Sequence, residues 1–269
     1  MPSDLDLKAY FERIHWTGDA APALETIKGL LIAHMRAIPF EHLDVLRGKT
    51  VALDLESLQA KLVHARRGGY CFEHVTLFAA VLEALGFQIA RHSARVTLFT
   101  PRSQSPRTHM FLTVKLAEGV FVLDPGFGGY PPLFPAPLVD AGAAIETSSG
   151  THWMVKDGAA WVLRTSRDGA MLNAWASTLE EENAVDFEMA NHFTATHPSS
   201  PFLNRLMMSR FTEAGRVTVM NREATIRQNA SATTIQLGNR AALRAFIAEH
   251  FGFDFPVDSL RLPFIPEWA

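Results

Sequence analysis

Arg66-Arg67-Gly68-Gly69-Tyr70-Cys71-Phe72-Glu73-His74 holds the only cysteine of the chain and opens a helical pattern. Phe72, Val75, Ala79, Leu82 and Leu85 follow at i, i+3, i+4 steps, and Gly86 sits where a C-terminal cap belongs. The spacing predicts an amphipathic helix starting at the cysteine. A thiol there faces unpaired backbone N–H groups and the positive end of the helix dipole, which favours thiolate. Gly68 and Gly69 allow a tight turn and leave room for a substrate. A buried structural cysteine, packing as a small hydrophobe, is the other reading of the same residue.

Upstream the chain reads as helical. Periodic segments cover 4–14, 23–37 and 53–65, the second stopping before Pro39 as the pre-proline restriction requires. Downstream the character changes. Residues 88–99 alternate and are rich in β-branched side chains, and 109–116 and 120–123 flank an Ala117-Glu118-Gly119 turn. A proline-rich loop at 130–137 precedes a second hairpin, 151–155 and 160–165, around Lys156-Asp157-Gly158. A helix is expected over 179–193, then short strands at 206–211, 216–220, 224–227 and 233–237. A last helix, 240–250, has Asn239 as N-cap and Gly252 past its end. Helices, then strands, then a mixed segment make an α+β chain.

Composition narrows the function. Among 269 residues, 25 are basic and 28 acidic, giving a net charge of -3 without the footprint of a nucleic-acid binder. One cysteine excludes an internal disulfide and a cysteine-rich zinc site. The acidic start lacks an apolar signal core, and the apolar run 76–87 is broken by Glu83 and too short for a bilayer. A soluble, cytoplasmic protein without membrane contact is expected.

A nucleophilic cysteine needs a base, and the base needs an orienting group. His109 opens a strand, and Asp124 ends the next one, before Pro125-Gly126-Phe127-Gly128-Gly129. Folding the hairpin brings Asp124 alongside 111–113, about 7 Å along the strand from His109. A bulge or side-chain reach has to cover that gap. The spacing permits the pair without requiring it; a turn aspartate and a satisfied core histidine fit equally.

The pattern resembles a known family at this point. Arg67-Gly68-Gly69-Tyr70-Cys71-Phe72-Glu73, Thr108-His109-Met110 and Asp124-x-Gly126-Phe127-Gly128 are similar to the three signature segments of the arylamine N-acetyltransferases. Tyr10-Phe11-Glu12-Arg13-Ile14, Ile38-Pro39-Phe40-Glu41-His42-Leu43-Asp44, Ala94-Arg95-Val96 and Thr196-His197-Pro198-x-Ser200-x-Phe202 extend the likeness over most of the chain. The resemblance implies a Cys71–His109–Asp124 triad and ping-pong transfer from acetyl-CoA to an aromatic amine or hydrazine. It implies three domains: a helical bundle (1–87) carrying the nucleophile, an antiparallel β-barrel (88–200) carrying His109 and Asp124, and an α/β lid (201–269). The core would be of cysteine-protease type.

The resemblance also implies an apolar acceptor slot lined by Phe40, Val96, Thr108, Phe127 and Phe202. Gly126, Phe127, Gly128 and Gly129 would meet the acetyl-CoA arm, and Glu41 with Arg67 would form a buried ion pair supporting the site. The chain departs from the family at Val75 and His42, where asparagine is usual, and at Pro125, where valine is usual. His15, His42 and His74 lack a ligand motif, and His74 reads as an exposed first-turn residue, so no metal is expected. A homodimer stays open. Beside acetyl transfer stand an amide synthase of the same scaffold using a carrier-bound acyl thioester, a cysteine hydrolase, and a non-catalytic binding protein.

Overall fold

The computed structural model describes residues 5–167, 169–229 and 231–268. Five helices come first: α1 (Leu7–Ile14), α2 (Leu24–Ala37), α3 (Leu43–Leu46), α4 (Leu55–Leu58) and α5 (Cys71–Ala84). Asp6 starts α1 by accepting the Ala9 N–H, whereas Asp4, where the pattern places the start, lies outside the described residues. The segment expected over 53–65 is α4 running into a π-helical stretch, Gln59–His64.

α5 is buried nearly all round instead of along one stripe. Of its 14 residues, 11 are buried, including Glu73 and His74. Such a helix sits at the centre of a fold, and α5 does so, packed between α4 and the strands that follow. His74 is therefore no exposed first-turn residue. It is 1% accessible, accepts a hydrogen bond from His34 Nε2 at 2.9 Å, and donates from Nε2 to the Pro39 carbonyl at 3.2 Å. Tyr10 donates to His34 Nδ1 at 2.9 Å. Because a carbonyl can only accept, every proton in this chain of bonds is fixed.

The central strands are β1 (Gln88–Val96), β2 (Arg107–Leu116), β3 (Gly119–Leu123), β4 (Ala136–Pro137), β5 (Ile145–Thr147), β6 (Gly150–Asp157), β7 (Ala160–Arg167) and β8 (Ala170–Ser177). They form one antiparallel sheet in the order β4-β3-β2-β1-β8-β7-β6-β5. The sheet curls until β4 approaches β6, but the ladder stays open between its edge strands, so the expected barrel is a curled half-barrel. Its concave side is filled by Phe111, Val122, Phe127, Met154, Leu163 and Trp175.

Next come α6 (Ala184–Thr196) and α7 (Pro201–Asn204). α6 begins later than the periodicity suggests because Leu179 adopts a left-handed φ of 59° and Glu181 bridges to His92. A second antiparallel sheet contains β9 (Met207–Phe211), β10 (Gly215–Met220), β11 (Glu223–Gln228) and β12 (Ser231–Gln236), and α8 (Arg240–Phe251) follows it. Asn239 caps α8 through the Ala242 N–H, and Gly252 ends it at φ 81°. Leu43 and Leu46 of α3 pack into this last core and tie it to the helical part. Among the described residues, no helix is long and apolar enough to cross a membrane.

The two buried histidines make stability depend on pH. Burial, then the neighbouring His74, holds His34 well below the usual imidazole range; burial lowers His74 to about 4. Both folded values lie below the unfolded one, so the unfolded chain binds more protons as pH falls from about 6.5 to 4. Their stabilisation is complete above that window and lost within it, on the order of 2 kcal/mol between pH 7 and 5.5. Urea unfolding at the two pH values should show this drop; an unchanged midpoint would contradict it.

Candidate active site

Cys71 is the first residue of α5, and its chain neighbours fix it there. Gly69 donates its N–H to the Pro39 carbonyl at 3.2 Å and accepts from Glu41 N–H at 2.8 Å. This bridge requires Gly68, since a Cβ on that residue would lie 1.9 Å from the Pro39 oxygen. Tyr70, the last residue before the helix, donates its N–H to Glu73 Oε2 at 3.0 Å. The thiol is 4% accessible and directed at the Thr108 carbonyl, 3.8 Å away.

His109 and Asp124 approach it from β2 and the end of β3. The β2–β3 register pairs Leu112 with Leu123, so Asp124 follows opposite Phe111, two residues from His109. Side-chain reach closes that gap: His109 Nε2 donates to Asp124 Oδ2 at 2.9 Å. The bulge lies on the other side of β2. Ala94 pairs with His109 and Arg95 with Arg107, which leaves Thr108 as the extra residue and re-aims its carbonyl toward Cys71.

With Nε2 committed to Asp124, Nδ1 is the ring nitrogen left for the thiol. Burial opposes a charge on His109, but the Asp124 carboxylate, followed by the Cys71 thiol, outweighs it and raises the imidazole to about 10. His109 is therefore an imidazolium at neutral pH. Asp124 is fully buried, and its Oδ2 takes a second hydrogen bond, from Trp175 Nε1 at 2.9 Å. Trp175 stacks on Phe111 with centroids 4.3 Å apart, a contact worth about 0.5–1.5 kcal/mol beyond burial. Sequence reading missed Trp175 because β8 was not foreseen; an indole in a strand pairing with β1 is visible only once the sheet order is known.

A model of the N-acetyltransferase family matches residues 23–260. An arylamine N-acetyltransferase of Escherichia coli is 37% identical over 265 residues, covering 95% of this chain and 94% of the relative. The Salmonella typhimurium protein named arylamine N-acetyltransferase / N-hydroxyarylamine O-acetyltransferase is 36% identical over 217 residues, covering 80% of this chain and 76% of its own. The structure of Mycobacterium marinum arylamine N-acetyltransferase in complex with CoA superposes with a TM-score of 0.91 at 30% identity, covering 98% and 100% of the two chains. The chain belongs to the arylamine N-acetyltransferase family. It is accordingly an acyltransferase.

The residues that the family resemblance assigns to a pocket fall in two packed clusters. Phe40 and Phe202 lie 6.3 Å apart by ring centroid and pack on the helical core, and Phe202 also meets Tyr70 and His42 edge-on. Phe127 packs 4.9 Å from the His109 ring, in the core of the curled sheet that Val96 also joins. Thr108 contributes the carbonyl already described. The family's usual asparagine is here His42, whose Nε2 accepts the Met207 N–H at 3.1 Å and which burial keeps neutral, its pKa lowered to about 3.

The glycines also serve the protein's own packing. A Cβ on Gly126 would lie 2.6 Å from Cys71 Cα, and one on Gly128 would enter the Phe40 ring at 2.5 Å. Gly129 has only Leu98 at 3.6 Å. Gly126→Ala should therefore lower acyl transfer about 100-fold with a lower melting temperature, because backbone faces the new methyl. Gly129→Ala should stay within about threefold. Equal effects in a paired rate and melting measurement would contradict this packing.

Glu41 and Arg67 form a direct pair, Arg67 Nη2 to Glu41 Oε1 at 2.7 Å, within a larger cluster. Arg67 also reaches Asp44 at 2.9 Å, and Lys61 reaches Asp44 at 3.0 Å and Glu73 at 2.7 Å. Asp44 and Glu73 stand in family-like segments of the sequence without an assigned role, and Lys61 carried no signal separating it from a surface charge. Among the described residues, no three His, Cys, Asp or Glu side chains gather as a metal site.

Proposed function

We propose that the chain moves an acetyl group from acetyl-CoA to an arylamine, arylhydrazine or N-hydroxyarylamine through a thioester on Cys71. The observation that carries this reading is a thiol at a helix start, next to an imidazolium whose far nitrogen is bonded to a fully buried carboxylate. Residues 1–87 supply the nucleophile, 88–200 the histidine and aspartate, and 201–269 a lid. The names of the relatives support the substrates; the amide-synthase alternative has no observation in its favour.

The Cys71 thiolate attacks the acetyl carbonyl carbon. N–H groups in the first turn of α5, which have no intrahelical acceptor, stabilise the oxyanion. The carbon–sulfur bond to CoA breaks, and His109 gives its proton to the departing sulfur. Now neutral, His109 takes a proton from the attacking amine as the new carbon–nitrogen bond forms and acetyl-Cys71 breaks. The imidazolium and thiolate are restored. Such proton transfers are typically worth about 10²–10⁴-fold. Asp124 holds the ring by Nε2 and supports its charge. Phe40, Val96, Thr108, Phe127 and Phe202 bind the aromatic acceptor, while Gly126, Phe127, Gly128 and Gly129 flank the donor arm.

Initial rates measured over a grid of acetyl-CoA and arylamine concentrations test the scheme. Parallel double-reciprocal lines are expected. Lines that converge would mean both substrates bind before any acyl leaves, which contradicts it.

A further inference from the structure

Glu73 is an unusual neighbour for a nucleophile. It lies two residues after Cys71, is 2% accessible, and its Oε2 accepts the Tyr70 N–H at 3.0 Å. A Cβ on Gly69 would stand 2.7 Å from that oxygen, so the glycine leaves the space that the cap occupies. The other oxygen, Oε1, is held by Lys61 Nζ at 2.7 Å. Lys61 comes from the π-helical stretch after α4 and has 15% side-chain exposure. Two further carboxylates face this group, Asp44 and Glu41, and Arg67 binds both. Arg47 lies 3.9 Å from Asp44 at the rim.

We propose that Lys61 is a positioning residue for Cys71, acting through Glu73 to keep the helix start capped by a charged carboxylate whose field is neutralised. The proposal rests on Cys71 being the nucleophile. A buried carboxylate without a cation is strongly unfavourable. Burial already pushes Glu73 above its ordinary value against the pull of Lys61. Without Lys61, Glu73 has two outcomes. If it takes up a proton, the Tyr70 N–H loses a charge-assisted acceptor, roughly twice as strong as a neutral one, and the backbone carrying Cys71 loosens. If it stays ionised, an uncompensated negative charge stands at the helix start that carries Cys71 and opposes thiolate. Both slow attack by sulfur, and in a Glu73→Gln background, where the carboxylate is already gone, removing Lys61 adds neither.

The test compares wild type, Lys61→Met, Lys61→Arg, Glu73→Gln and the Lys61→Met/Glu73→Gln double variant. The rates of Cys71 alkylation by iodoacetamide from pH 5 to 9 and of single-turnover acetylation by acetyl-CoA are read beside melting temperature. Lys61→Met should slow both reactions about tenfold at pH 7 and move the alkylation profile to higher pH. Lys61→Arg should recover most of the rate. The double variant should match Glu73→Gln within about threefold, because the two changes act on one interaction. If Lys61→Met does not fold, Lys61→Gln and the double variant make the same comparison. A lowered melting temperature with unchanged rate and pH profile, or losses that multiply in the double variant, would overturn the proposal. Wild-type alkylation without acetylation by acetyl-CoA would instead fault the acetyl-transfer reading and leave the alkylation series to judge Lys61.

Discussion

Replacing Cys71 with serine should reduce acetyl transfer by at least about 10³-fold while leaving the melting temperature within a few degrees of wild type. The substitution is nearly isosteric, and the thiol's contact with the Thr108 carbonyl is a long one at 3.8 Å. Activity falls because a serine hydroxyl needs a base to remove its proton as it attacks. Against the pull of burial, Asp124 raises His109 to about 10, so at pH 7 the ring is already charged and cannot take that proton. A cysteine escapes this difficulty, since its proton can rest on the imidazole before substrate arrives. Stopped-flow or discontinuous assays at pH 7, with circular dichroism melts of the same samples, check both parts. Activity within tenfold of wild type would remove Cys71 from the proposed role.

Asp124→Asn should cost about 10³–10⁴-fold. The carboxylate offers one oxygen, Oδ2, to two donors, His109 Nε2 and Trp175 Nε1. An amide in its place brings no charge to hold the imidazolium, and its nitrogen can force His109 into the other tautomer. Burial then governs the ring, and its pKa falls below the raised value. Slower alkylation of Cys71 at pH 7 should accompany the loss of turnover. Near-wild-type turnover would show that the third member of the triad is misassigned.

How much of this was legible in the sequence depends on how local each feature is. The start of α5 at Cys71 follows from two glycines and a helical period, both within 20 residues. The β2–β3 hairpin follows from alternation around a glycine turn, and it already places Asp124 near His109. Trp175 was out of reach because Ala170–Ser177 is rich in alanine and polar residues and pairs with β1 across the sheet. His74 was misjudged for a related reason. A polar side chain in a first turn usually faces water, but here His34 and the Pro39 carbonyl satisfy it inside the core. Tertiary partners overrode the local preference. Lys61 belongs with these: a lysine between apolar positions reads as a solvated face until Glu73 and Asp44 are found beside it.

In the proposed reaction the acyl group rests on Cys71 between its two transfers. Intact-protein mass spectrometry after brief incubation with acetyl-CoA tests this most directly. One acetyl group should appear, map to the peptide containing Cys71, and disappear when an arylamine is added. An unmodified mass, with the protein folded and the thiol still open to iodoacetamide, would contradict a Cys71 thioester.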